Sequence, residues 1–297
     1  MSRTWAAVIV NYEAGPLLAA CAQSVLADSS GGEVELVVVD NGSGDGSVDL
    51  LREVVPDVRV VAAPGNVGYA RAANLGIAAT RAPVVAVFNP DLVVEPGTAK
   101  PMLSRFDDDP ALGACGPRIR NVDGSDYPSA RRSPSVPLAI AHGLFGLWWP
   151  RNPFTTRYRE LDADPAEPRL VDWVSGAAVW LRRSALDAVG GWDERYFMYM
   201  EDLDLCRRLR VAGFDIAYEP GGGVTHVQGA ITSRRPYRMI LQHHRSAFRY
   251  ARTRMTGARA VLLPAAALYL SLRCALAMGE HAWRGVRPGP GRPAGRE

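Results

Sequence analysis

Residues 6–10, 34–39, 58–62 and 84–88 are short, largely apolar runs rich in valine, and segments of helical spacing separate them. Few folds accept that order. The runs show no regular polar alternation, so the strands they form must be covered on both faces. Between the first two, Leu18, Cys21, Ala22 and Val25 recur at the three- and four-residue steps of one helix face. Strands of this kind separated by helices specify an α/β protein with a parallel sheet covered by helices. Such sheets bind ligands at the carboxyl ends of their strands, so the polar residues that directly follow each run are the first candidates for a site.

At 297 residues and 47% hydrophobic content, the chain can bury one full core and carry an appendage. Further strands are expected at 177–181, 215–218 and 224–226, whereas residues 117–170 lose periodicity and collect Pro, Arg and Trp, as a substrate-facing excursion does. Cys21, Cys115, Cys206 and Cys274 are far apart and include no C-x-x-C pair. That spacing supports neither a disulfide framework nor a zinc ribbon and fits a reducing cytosol. No charged leader with an apolar core precedes the first strand, so no signal peptide is expected.

Net charge is +3, unevenly spread: residues 231–297 hold thirteen arginines against Glu280 and Glu297, net +11, which leaves 3 − 11, or −8, for the first 230. The split predicts a main domain over 1–230 and a basic helical extension over 231–297 whose partner is an anionic surface. No nucleic-acid partner is expected. The last segment, RPGPGRPAGRE, has the composition of a disordered end.

No G-x-G-x-x-G follows the first strand, which counts against a dinucleotide site and a dehydrogenase. Asn11 ends the first run and Asp40 the second. Asp40 can accept a hydrogen bond from the N3 amide of a uracil or thymine ring, and the Asp-Asn-Gly-Ser it opens is equally an ordinary turn. In GNVGYARAANLGIA, Gly68 lets the backbone approach a ligand and Arg71 sets a cation one turn into the next helix, with Asn66 and Asn74 beside them. Asn89-Pro90-Asp91 follows the fourth run. A carboxylate there suits Mg²⁺ or Mn²⁺, or else caps a turn bent by the proline. His226 is a further ligand if the metal is Mn²⁺, although a lone histidine is as readily structural. Glu201 and Asp202 follow an aromatic loop and open a helix whose apolar face carries Leu205, Cys206, Leu209 and Ala212. The pair suits general-base work, and Asp202 alone would also serve as an N-cap.

In this order VIVNY, VVVDNGS, GNVGYARAANLGI, NPD, SGAAVWLRRSALDAVGGWDERYFMYMEDLDLCRRL and a downstream histidine resemble the inverting family 2 glycosyltransferases of the GT-A fold, over residues 5–228. The resemblance implies a nucleotide-binding GT-A sheet with a basic helical tail. It implies that Asp40 and Arg71 hold a pyrimidine base, with Asn11, Asn66, Gly68 and Asn89 completing the nucleotide site. Asp91 then binds a divalent metal, with His226 as a further ligand, and Asp202 is the catalytic base, with Glu201 positioning it or the acceptor. One departure is Asn89, which stands where the first acid of D-x-D is usual and shifts metal binding toward Asp91 and His226. Within the family the chain looks most like rhamnosyltransferases that move L-rhamnose from dTDP-rhamnose onto N-acetylglucosaminyl-diphosphopolyprenol.

A lipid-linked acceptor fits the tail. Residues 260–272 form an apolar run of thirteen, interrupted by Pro264 and closed by Arg273, short of the twenty or so that a span needs. With Arg245, Arg249, Arg252, Arg254 and Arg259 ahead of it, the run predicts a helix lying on the cytoplasmic membrane surface. A helix packed on the core, or on a second subunit in a homodimer, is the alternative. Arg131, Arg132, Trp148 and Trp149, the tryptophans at headgroup level, together with Trp192 and Asp193, make the expected acceptor set. Other enzymes compatible with the pattern use UDP-galactofuranose or another UDP-sugar. A nucleotidyltransferase would need a lysine-bearing phosphate loop, which NYEAGPLL lacks, and a non-catalytic scaffold would not need the intact acids.

Overall fold

The computed structural model describes residues 4–133, 136–145, 149, 151–227 and 236–286. The chain divides into two compact units, Met1–Arg234 and Arg235–Glu297. Within the first, the elements are β1 (Thr4–Asn11), α1 (Pro16–Ala27), β2 (Glu33–Asp40), α2 (Ser47–Val54), β3 (Arg59–Ala62), α3 (Tyr69–Ala78), β4 (Val84–Phe88) and β5 (Leu92–Val94). They continue as α4 (Ala99–Asp108), β6 (Leu112–Asn121), β7 (Asp126–Tyr127), β8 (Ala130–Arg131), α5 (Val136–Phe145), α6 (Pro153–Arg159), β9 (Arg169–Leu170) and β10 (Trp173–Val174). Last come β11 (Ala178–Arg182), α7 (Arg183–Val189), α8 (Glu201–Val211) and β12 (Asp215–His226).

α1 shows how locally the sequence writes this fold. Pro16 stands at its first turn, where a missing N–H costs nothing, and Leu18, Cys21, Ala22 and Val25 turn inward together. They join a core formed by Ile9, Trp5, Phe88, Trp180 and Met102, in which Trp180 meets Phe88 edge-on at 5.0 Å.

The main sheet runs β3-β2-β1-β4-β11-β6-β12-β5, with β7 on β6 and β9 on β12. It is parallel from β3 to β4, as expected, and mixed beyond. β11 is antiparallel to both β4 and β6, β12 is parallel to β6, and β5 is antiparallel to β12. The apolar run of β11 is buried on both faces, and an antiparallel strand so placed reads like a parallel one. The two short strands expected at 215–218 and 224–226 are one strand, β12, whose register slips between Glu219 and Gly223, where Pro220 offers no N–H to the ladder. The stretch 117–170 carries β6 to Asn121 and then short elements, each too brief to show a period.

In the second unit, α9 (Pro236–Arg254) is followed by a 3₁₀ segment and α10 (Leu263–Val286). Leu241, His244 and Phe248 of α9 line a groove with Leu270, Cys274 and Met278 of α10. Leu268, Leu272, Leu276 and Trp283 of α10 stay exposed. Contrary to the expectation from sequence, Arg273 does not close the apolar stretch: the 27 residues Gly257–Trp283 are long and apolar enough to cross a membrane by length and composition. The run seemed short because one arginine interrupts it. The proline- and arginine-rich end, residues 287–297, lies outside the described residues.

Candidate active site

β1, β2 and β4 end at one edge, and strand pairing alone brings their terminal residues together. Asn11 and Asp40 are register partners at the last rung of the β1–β2 ladder. Asn11 is fully buried, with its Nδ2 at 3.1 Å from Asp40 Oδ1, 3.0 Å from Ser43 Oγ and 2.9 Å from Ser47 Oγ. A carboxylate only accepts, so Asp40 orients the amide. The following loops are fastened to each other, since Ser43 Oγ accepts the Glu13 N–H at 3.0 Å and Asp45 Oδ2 accepts the Gly15 N–H at 2.8 Å.

Buried Asn41 joins this edge to the next loop. Its Oδ1 accepts the Val67 N–H at 2.9 Å and its Nδ2 donates to Asn66 Oδ1 at 3.3 Å. Gly68 has φ +91°, and a Cβ there would lie 2.7 Å from the Phe197 carbonyl oxygen, so both conformation and space demand glycine. The Tyr69 N–H donates to that same carbonyl at 2.8 Å, which presses the loop before α3 onto the aromatic loop before α8. Arg71 is exposed and lies 3.7 Å from Glu194 of that loop.

Asn89 follows β4, half-buried, and its N–H donates to the Ala177 carbonyl at 2.8 Å. Pairing of β5 with β12 sets Leu92 opposite His226, and Asp91 Oδ1 then lies 3.1 Å from His226 Nε2. Adjacent ligands on an octahedral ion take about the same spacing when each bond is about 2.1 Å. The donor set, one carboxylate and one imidazole, fits a divalent ion, and the imidazole favours a transition metal. Among the described residues no third His, Cys, Asp or Glu joins the pair. Other positions around an ion would fall to phosphate oxygens and water.

Glu201 and Asp202 open α8 after Tyr199 and Met200, whose φ values of +68° and +67° place two consecutive side-chain-bearing residues in the left-handed region. Such backbone is costly and is kept where the surroundings hold it. Asp202 does not cap the helix, since Met200 occupies that position. Its Oδ2 instead leaves the helix to accept the Gly176 N–H at 3.0 Å, while Oδ1 accepts the Leu203 N–H at 2.8 Å. The Tyr69 hydroxyl donates to the carbonyl of that same Gly176 at 2.6 Å. A Cβ at residue 176 would lie 3.1 Å from Asp202 Cβ, so a side chain there would push the acid aside.

Burial raises the Glu201 carboxyl well above its usual range, and the charge of Asp202 raises it further. Glu201 Oε2 is buried without a partner. Burial raises Asp202 too, against the Gly176 and Leu203 N–H groups and the Arg131 charge, which favour its ionised form. The Tyr69 hydroxyl is raised by burial and then by Glu201, Asp202 and Asp91, so all three acids converge around it. Two N–H donors and the Arg131 charge favour the ionised form at Asp202, whereas Glu201 Oε2 has no partner among the described residues, so the surroundings favour the proton on Glu201 and the open acceptor position on Asp202.

On the far side, Arg131 sits in β8 opposite Trp173 of β10. Its guanidinium lies 4.8 Å from the Trp173 ring, and its Nη2 donates to the Tyr127 hydroxyl at 2.9 Å. Arg132, the residue after β8, pairs with Glu160 at 3.0 Å. Trp149 is exposed, and Trp148 lies outside the described residues. Trp192 and Asp193, expected on the acceptor wall, are used within the loop. Trp192 is buried edge-on against Tyr69, its backbone N–H and C=O held by the Asn74 amide at 2.9 Å each, and Asp193 grips Arg195 at 2.6 Å. Tyr69 and Gly176 take part in the site's construction without a sequence pattern that singles them out, although both lie inside the motifs that carry the resemblance.

A ligand edge at the ends of parallel strands, with buried acids beyond it, defines an enzyme of the GT-A type. Glycosyl transferase family 2 matches residues 6–190, and the chain belongs to that family. It is a glycosyltransferase. The N-acetylglucosaminyl-diphospho-decaprenol L-rhamnosyltransferase of Mycobacterium tuberculosis H37Rv is 40% identical over 261 residues, 84% of each chain. Rhamnosyltransferase WbbL of Escherichia coli K12 is 37% identical over 135 residues, 45% of this chain and 48% of that one. The crystal structure of GalNAc-T7 with UDP, GalNAc and Mn²⁺ shares the fold with a TM-score of 0.56 at 18% identity, over 76% of this chain. This chain spans only 44% of that structure.

The raised Glu201 makes a stability prediction whose sign is fixed. The folded state keeps a proton that the unfolded chain releases above the ordinary carboxylate range, so stability falls as pH rises from that range toward the raised value. Glu201→Gln removes this contribution. Urea midpoints measured from pH 5 to 8 should decline less for the variant than for wild type. Parallel profiles for the two proteins would place Glu201 in ordinary solvent.

Proposed function

We propose that the enzyme transfers L-rhamnose from dTDP-rhamnose to N-acetylglucosaminyl-diphosphopolyprenol, with inversion at the anomeric carbon. Support for the substrates is the 40% identity to the mycobacterial rhamnosyltransferase over 84% of both chains. Support for the chemistry is one observation: Asp202, raised in pKa by burial yet not fully closed off from solvent, is held by Gly176 directly beside the strand end that carries Asn89 and Asp91.

In this reading Asp40, oriented with Asn11, accepts from the N3 amide of the thymine ring, and Asn66, Gly68, Arg71 and Asn89 complete the nucleotide site. The acceptor hydroxyl attacks the anomeric carbon as the bond to the diphosphate oxygen breaks, and its proton passes to an Asp202 carboxylate oxygen. Glu201, still protonated, adds no second charge beside it. Asp91 and His226 would hold a Mg²⁺ or Mn²⁺ ion. Such an ion supplies charge neutralisation at the departing diphosphate.

The exposed Leu268, Leu272, Leu276 and Trp283 of α10, within the 231–297 extension of net charge +11, support association with the inner face of the cell membrane. A homodimer contact would use the same face. Added salt should separate these uses, because attraction of arginines to anionic lipid is screened.

The full chain, assayed with dTDP-rhamnose and UDP-sugars on a prenyl-diphosphate-linked N-acetylglucosamine, should turn over the rhamnose donor with inversion; efficient transfer from a UDP-sugar instead would refute the donor assignment. Asp202→Asn keeps an oxygen for the Gly176 N–H yet cannot take a proton. It should lower kcat by a factor of about 10² to 10⁴ with donor KM nearly unchanged, and near-normal turnover would remove Asp202 from the chemistry. Wild-type kcat should rise with pH along a limb above the ordinary carboxylate range. Excess EDTA should abolish wild-type activity, and His226→Ala should raise the Mn²⁺ concentration required more than the Mg²⁺ concentration; full activity in EDTA would sink the metal assignment. A chain ending at Arg254 should lose cosedimentation with anionic vesicles while still binding dTDP. Vesicle binding unchanged by the truncation would assign α10 to protein contacts.

A further inference from the structure

The Arg132 N–H donates to the Tyr158 carbonyl at 3.2 Å, which sets the end of β8 against the end of α6 and brings Arg131 and Arg159, two cations the transfer chemistry described above does not use, within reach of each other's charge. Among the described residues neither guanidinium has an ion-pair partner, while most arginines around them do: Arg132 and Arg169 share Glu160, and Arg210 pairs with Asp172. Arg159 Nε is buried without a hydrogen-bond partner. Burial, and then the like charge of Arg131, lower the Arg159 guanidinium from its ordinary value. Two guanidiniums close enough to repel each other cost stability unless something anionic joins them. Tyr127 and Tyr158 offer the pair only phenols, and Asp202, the carboxylate whose charge reaches Arg131, accepts the Gly176 and Leu203 N–H groups and forms no ion pair with either guanidinium among the described residues. Arg131 is meanwhile fixed in place by the Pro128 carbonyl at 2.7 Å, the Tyr127 hydroxyl and the Trp173 face, so its fork is preorganised.

The surface beyond the pair is apolar in a particular direction. α5 and α6 meet through His142 on Tyr158, with ring centroids 4.8 Å apart, and then through Phe145 on Phe154, stacked at 5.9 Å. The first contact lies beside Arg131 and the second lies one turn further out. There Phe145, Phe154 and Trp149 are exposed together. A ligand that is anionic at one end and hydrocarbon at the other matches this sequence of surfaces, and bidentate guanidinium contacts suit phosphate oxygens.

We propose that Arg131 and Arg159 bind the diphosphate of the lipid-linked acceptor, with its first isoprene units lying over Phe145, Phe154 and Trp149. Resting on the acceptor proposed above, this adds Arg159 to the expected acceptor residues and gives Arg132 a structural part on Glu160. Because Asp202 feels the charge of Arg131, the same cation would hold the acceptor beside the base.

The test uses the full chain, Arg159→Gln and the charge-keeping Arg159→Lys, with two acceptors: N-acetylglucosamine linked through diphosphate to a short prenyl chain, and an uncharged prenyl N-acetylglucosaminide. Arg159→Gln should raise KM for the diphosphate acceptor at least tenfold, leave KM for the nucleotide-sugar donor within twofold, and leave KM for the uncharged acceptor unchanged. Arg159→Lys should recover part of the loss. A change in donor KM would assign the pair to the donor's diphosphate. Equal losses on both acceptors would make the role structural, and no loss on either would overturn the proposal outright. Binding of farnesyl diphosphate by calorimetry keeps the outcome separate from the substrate assignment. Binding that depends on Arg159 in an enzyme inactive on every diphosphate acceptor would uphold the anion site while refuting the proposed reaction. Binding indifferent to Arg159 in an active enzyme would do the reverse.

Discussion

Asn89 donates to the carbonyl of Ala177, the Tyr69 hydroxyl donates to the carbonyl of Gly176, and Asp202 accepts from the N–H of Gly176. One short piece of backbone, the lead-in to β11, therefore holds the strand end that carries Asp91, the start of α3 and the start of α8. It can do so because β11 enters the sheet antiparallel to β4, with Ala178 opposite Phe88, so that the chain arrives at the ligand edge when a parallel strand would be leaving it. A parallel β11 would begin at the opposite edge, and the acid pair would have no main-chain anchor beside Asn89. The change of strand direction halfway across the sheet is thus the condition for placing the strand-end edge and the buried acid pair side by side.

The electrostatics follow from that packing. Glu201, Asp202 and Asp91 are drawn around Tyr69 in a poorly hydrated space, where burial raises the two helix acids. Hydrogen bonds then separate them. Asp202 has two N–H donors and a nearby guanidinium, whereas one oxygen of Glu201 has nothing. Two neighbouring carboxylates with different surroundings divide the work of holding and taking protons, as a single acid could not.

The strands of the parallel half, the helix face of α1 and the residues at the strand ends were legible because each depends on short-range pattern: burial on both sides, three- and four-residue steps, and polar residues where a run stops. Asn11 and Asp40 could be named before their contact was seen, since register alone joins them. Direction was not legible. AVWL reads the same whether β11 runs up or down, and the interruption at Pro220–Gly222 reads as a gap between strands when it is a slip within one. Side-chain commitment was not legible either. The contacts of Trp192 and Asp193 with Tyr69, Asn74 and Arg195, which give both residues a part in holding the loop, have no short-range pattern to announce them. Arg159 is likewise unremarkable in YRE and conspicuous once its partners prove to be another arginine and two phenols.

Tyr199 and Met200 hold left-handed backbone that glycine would adopt without strain. Natural sequences seldom keep two such residues in succession unless their side chains are wanted where that backbone puts them. The strain is a standing charge against folding, carried on the two positions that aim the first turn of α8. Directed evolution for heat tolerance would find relief there easily, by a glycine at either position, and would slacken the approach to the acid pair as it did so. Residues 199 and 200 are thus where relief of backbone strain and the placement of Glu201 and Asp202 are set against each other.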